Sequence, residues 1–95
     1  MAKNISIEDW KNLSLTGLLD KYGLTLEEMY KVALENKLYK YDTPNKRRAW
    51  SDEDKEFLLN NKNNLTVNEA GRILHKSYNA TLMYVKFIGA YEMIN

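Results

Sequence analysis

Cysteine is absent from the 95 residues, which also hold only one proline, four glycines and one histidine. Without thiols there are no disulfides, no thiolate nucleophile and no Cys-built zinc site, and one imidazole argues against a His-built metal centre. Stability has to come from packing. Long apolar runs are missing as well: nothing approaches the roughly 20 residues of a membrane span. The start MAKNISIEDW lacks the apolar core of a signal peptide, so the expected compartment is the cytoplasm, with no membrane contact. A strong charge imbalance is lacking too. The net charge is +1, so composition does not mark a nucleic-acid partner. There is no Gly-rich phosphate loop and no recognisable pair of catalytic carboxylates, and a nucleophile would have to borrow His75 as its base. The chain is therefore not read as an enzyme, and no cofactor or metal is expected.

What is present is an ordered composition, 44% hydrophobic and 12% aromatic, in a length that suits one compact domain or two very small ones. Helix starts are marked by a hydroxyl three residues before an acid, the spacing that lets each cap the other's backbone N–H. Thr25 with Glu28, Ser51 with Asp54 and Thr66 with Glu69 have it, and Ser6 and Ser77 are further caps. LSLTGLLDKYGLT adds a short helix from Leu15 to Tyr22 that stops at Gly23, a residue suited to the left-handed conformation. Leu18, Leu19, Tyr22, Leu24, Met29 and Val32 then fall where two crossed helices bury them. No strand pattern competes.

The reading is all-α: two small three-helix units with helix-turn-helix spacing, packed together. The first covers residues 5–41, a basic linker 42–48 and the second unit 49–89, with 90–95 as a tail. The linker is marked by Asp42, Thr43, Pro44 and Asn45, where proline cannot continue a helix. Residues 1–45 carry six Lys against seven acids, and residues 46–95 eight Lys or Arg against six acids, so the basic excess sits at Lys46, Arg47 and Arg48. The outer face of the third helix in the first unit would show Glu27, Tyr30, Lys31, Glu35 and Lys37, a mixed-charge set that reads as solvated.

In the second half, RRAWSDEDKEFLLNN and LTVNEAGRILHKSYNATLMYVKFIG resemble the Myb/SANT-like helix-turn-helix domain in its short bacterial and phage form. The Trp, the acidic first turn, the second capping box, the Ser opening the third helix and the closing Gly occur in order. A core of Trp50, Phe57, Leu58, Leu65, Ala70, Ile73, Leu74, Ala80, Val85 and Ile88 fits the pattern, with Trp50 as a buried anchor and Gly71 allowing close helix approach. Two departures stand out. His75 occupies the turn where the family commonly has Gly, which makes it a turn residue rather than a ligand. Leu82, Met83 and Phe87 stand where DNA-binding relatives usually carry Lys, Arg, Ser or Asn.

The resemblance implies a small DNA-binding transcriptional regulator with double-stranded DNA as partner. Lys46, Arg47 and Arg48 would form an arm on phosphates or in a minor groove. Asn79 would pair with adenine, and Tyr78, Lys86 and Lys76 would supply phosphate or edge contacts. The alternative is a protein-binding inhibitor or adaptor of phage type that holds a host protein. Its face would be Leu82, Met83, Phe87 and Tyr91, continued by Met93 and Ile94, since exposed aromatic and Met side chains are typical of interfaces. Docking on residues 5–41 or pairing into a homodimer would cover the same face.

Overall fold

The computed structural model describes residues 4–44 and 49–94. Lys46, Arg47 and Arg48, the expected basic arm, lie outside the described residues. All the regular structure is helical: α1 (Ile7–Asn12), α2 (Leu15–Tyr22), α3 (Leu26–Glu35), α4 (Asp52–Asn60), α5 (Val67–Leu74) and α6 (Tyr78–Ile88), with single 3-10 turns at Leu38–Lys40 and Tyr91–Met93.

The caps explain where these helices begin. Ser6, Ser14, Thr25, Ser51, Thr66 and Ser77 each accept a bond from the backbone N–H three residues on. At Thr25, Ser51 and Thr66 the acid returns the bond, as its spacing requires. Ser14 is the cap among these that the sequence analysis does not name. Helix α2 ends at Gly23 in the left-handed conformation.

The last two helices of each half share a common register. Each landmark recurs 52 residues later: the caps Ser14 and Thr66, the left-handed turn residues Gly23 and His75, the caps Thr25 and Ser77, and the left-handed residues Lys37 and Gly89. Burial follows the same register, pairing Leu15 with Val67, Leu18 with Ala70, Met29 with Thr81, Ala33 with Val85 and Leu38 with Ala90. The helix–turn–helix part of the backbone therefore occurs twice, filled with different side chains, while the caps of the first helices, Ser6 and Ser51, stand 45 residues apart and fall outside this register.

One apolar cluster runs through both halves, which supplies the burial that units of this size lack alone. Tyr30 on α3 packs on Phe57 of α4 with ring centroids 4.3 Å apart, and its hydroxyl donates to Asp54 Oδ1 at 2.8 Å. Tyr30 is thus buried, not part of a solvated face, because α4 covers that side of α3. Glu27, Lys31, Glu35 and Lys37 are exposed as expected. The fully buried indole is Trp10, whose Nε1 donates to the Tyr41 carbonyl at 3.2 Å and whose ring meets His75 edge-on at 5.7 Å.

The expected linker is pinned where it is described. Arg72 Nε binds Asp42 at 3.0 Å, the Thr43 hydroxyl donates to the Arg72 carbonyl, and His75 Nδ1 donates to the Pro44 carbonyl at 3.1 Å. His75 does form the left-handed turn, at φ 57°. A side chain in that conformation costs roughly 1–2 kcal/mol, and here the imidazole is buried against Trp10.

Residues 90–94 do not form a free tail. Ala90 and Met93 are in the core, and Glu92 pairs with Lys62 at 2.9 Å. Lys62 accordingly holds the Glu92 carboxyl below the usual carboxylate range. Met93 is therefore a core residue, not part of an exposed apolar face.

Candidate interaction surface

Helix α6 is placed by its neighbour α5. Gly71 brings the two together: a Cβ there would lie 2.9 Å from Thr81 Oγ1 and 3.1 Å from the Lys76 carbonyl, so no larger residue fits without displacement. Thr81 and Val85 face inward and are fully buried. At 3.6 residues per turn, that phase fixes what α6 shows to solvent.

Two stripes result. Ala80, Met83, Tyr84 and Phe87, spaced i, i+3, i+4 and i+7, line one open depression together with Trp50. Asn79 and Lys86, seven residues apart, form the adjacent polar stripe, and both are exposed. Met83 is 72% exposed and Phe87 84%, and Tyr91 beyond the helix end is 60% exposed. All three are exposed, as the sequence analysis expects. Leu82 differs: it is half-buried against the core.

Trp50 is not a buried anchor. It is half-buried and stacked flat on Tyr84, with centroids 4.0 Å apart and planes 3° from parallel. The core of the second half is filled instead by Phe57, Leu58, Leu65, Ile73 and Leu74, while Ala80 and Ile88 are only half-buried. Burial raises the Tyr84 phenol above its ordinary range, and the Asp54 and Asp52 carboxylates push it the same way. An acidic helix start therefore borders the aromatic pair.

Lys76 is less open than the sequence suggests: its side chain is largely buried, its ammonium sits over the Trp50 ring, 4.8 Å from the centroid, and it reaches solvent only along a polar recess. Tyr78 is half-exposed and lines that recess with Asn68 and Arg72, away from the apolar stripe. Of the residues expected to touch DNA, only Tyr78, Asn79 and Lys86 are therefore both described and exposed. Sequence reasoning missed Ala80, Tyr84 and Trp50 as lining residues. For Ala80 and Tyr84 the i, i+3, i+4, i+7 spacing with Met83 and Phe87 is the available signal; Trp50, remote in sequence, has none.

The internal repeat provides a control for the exposed apolar residues. The positions of α3 that match Ala80, Met83 and Phe87 are Glu28, Lys31 and Glu35, all exposed and charged. The same helix–turn–helix backbone thus folds with charged residues at these places; in α6 the Phe87 ring meets Tyr84 with centroids 6.1 Å apart, while most of Phe87 and Met83 faces solvent.

Among the described residues no cluster of three or more His, Asp or Glu is placed to hold a metal ion, and no helix is long and apolar enough to cross a membrane. Comparison of the chain with protein-family models, curated proteins and solved structures finds no match.

Proposed function

We propose that the protein is a protein-binding module whose α6 apolar stripe seats a protein surface. The observation that carries this reading is the exposure of Met83 and Phe87 at positions that the first copy of the repeat fills with Lys31 and Glu35. A fold that tolerates charge there gains nothing from apolar side chains unless another molecule covers them. Burying them recovers about 25 cal/mol for each Å² removed from water, and Met with aromatic residues is the combination enriched in protein interfaces.

The second reading, a Myb-like DNA-binding regulator of bacterial or phage type, keeps one specific support: Asn79 and Lys86 share an exposed stripe on the second helix after a tight turn. Duplex affinity comes chiefly from cations on phosphates. On α6 the accessible cation is Lys86, while Lys76 is largely buried and Asp52 lies close enough to perturb Tyr84. Among the described residues, the charge next to the apolar stripe favours a protein.

Duplex DNA titration at two salt concentrations separates the readings. The native chain is expected to bind a random duplex only in the non-specific range, about 10⁻⁴–10⁻⁶ M. A Met83→Lys, Phe87→Lys double variant is expected to bind it more tightly, with the slope of log K against log salt steeper by about 0.9 for each Lys that reaches a phosphate. Tight binding of a preferred sequence by the native chain, abolished by that double variant, would make α6 a DNA reader and end the protein-binding proposal.

A further inference from the structure

Resting on that protein-binding reading, we infer that the occupant of the α6 stripe is a second copy of this chain, paired with it about a two-fold axis with the two α6 helices antiparallel. The stripe is symmetric in spacing and complementary in size. Ala80 and Phe87 lie at equal distances along the helix on either side of the Met83–Tyr84 step. An axis at that step sets Phe87 of one copy over Ala80 of the other, and Met83 beside Tyr84. Ala80 is the small residue lining the depression, and Phe87 is the large one standing out of it at 84% exposed. An isologous contact requires a patch that complements itself, and a small residue and a large one exchanged across the axis satisfy that in both halves at once.

Area and charge agree with a pair. With about 150–250 Å² for a large side chain, Phe87 at 84% and Met83 at 72% exposed, with the accessible parts of Trp50 and Tyr84, offer on the order of 400 Å² per copy. Two copies then bring together about 800 Å², the size of a weak, transient pair in equilibrium with monomer. A net charge of +1 per chain leaves little repulsion between copies. At the equivalent axis of α3, the Lys31–Val32 step, Glu28 of one copy would face Glu35 of the other, two like charges where α6 sets Ala80 against Phe87.

Analytical ultracentrifugation of the full chain over a concentration series tests this. The native chain is expected to show a monomer–dimer equilibrium. Ala80→Phe, which sets two large side chains against each other, and Phe87→Ala, which leaves a hole, should each weaken dimerisation at least about tenfold. The double variant Ala80→Phe, Phe87→Ala exchanges knob and hole within the chain and should return affinity to within about threefold of native, a coupling that only residues in contact give. Helical circular dichroism and melting midpoint confirm that each variant folds. If Ala80→Phe does not, Phe87→Glu is read instead and is expected to be monomeric.

A native chain that stays monomeric throughout overturns the pairing, while leaving the stripe as a site for a different protein. A dimer unaffected by Phe87→Glu places the contact elsewhere and overturns it as well. Loss in both single variants without recovery in the exchanged one rules out the antiparallel two-fold.

Discussion

Trp10→Ala is expected to abolish the cooperative unfolding transition, whereas Trp50→Ala keeps it. The Trp10 indole is fully buried, hydrogen-bonded to the Tyr41 carbonyl and in edge contact with His75, so it joins α1 to the end of the first copy and to the turn of the second. Truncating a buried Trp costs about 3–5 kcal/mol, a large part of the 5–15 kcal/mol that typically separates folded from unfolded chains. The half-buried Trp50 forfeits mainly its stack on Tyr84, worth about 0.5–1.5 kcal/mol beyond area burial. Urea denaturation followed by circular dichroism ranks the two. The reverse order would contradict the packing described.

A comparable loss is expected at Asp54, a fully buried carboxylate that serves two elements. Its Oδ2 accepts from the Ser51 N–H to complete the α4 capping box, and its Oδ1 accepts the Tyr30 hydroxyl from α3. Hydrogen bonds to charged groups contribute about 1.5–3 kcal/mol each, so Asp54→Ala should destabilise by about 3 kcal/mol once the cap is included. Much of that effect should disappear when Asp54→Ala is made in a Tyr30→Phe background, because both changes remove the same bond. Additive losses in that double-mutant cycle would mean that Tyr30 and Asp54 do not act as a pair.

These two residues also mark the limit of what the sequence discloses. Helix starts were legible because a cap is a local event: Thr25 and Glu28, or Thr66 and Glu69, need nothing beyond their own turn. The exposure of Met83 and Phe87 was legible from helical phase against Val85. Burial that depends on remote segments was not. Tyr30 reads as solvated because the helix covering it begins at residue 52, and the resemblance makes Trp50 the anchor whereas Trp10 is the one buried, by Tyr41 and His75 far away in sequence.

The repeat itself stayed hidden for a related reason. The fold preserves burial at several matched positions, not which residues fill them: pairs such as Leu24 with Lys76 or Met29 with Thr81 share no side-chain chemistry, and exposed Lys21 even matches buried Ile73. Once the register is known, the departures from it carry the functional argument. Lys31 and Glu35 show what the backbone accepts, and Met83 and Phe87 show what was added to it.

Site-specific photo-crosslinking tests the central claim most directly, because the repeat supplies its own control. A benzoylphenylalanine at position 87, in cells that carry the protein, is predicted to give a discrete protein adduct, either a second copy or another chain. The same group at position 35, on the equivalent turn of α3, is predicted to give none. No adduct at 87, equal yields at 87 and 35, or an adduct to nucleic acid alone would contradict the assignment of α6 as a protein-binding face.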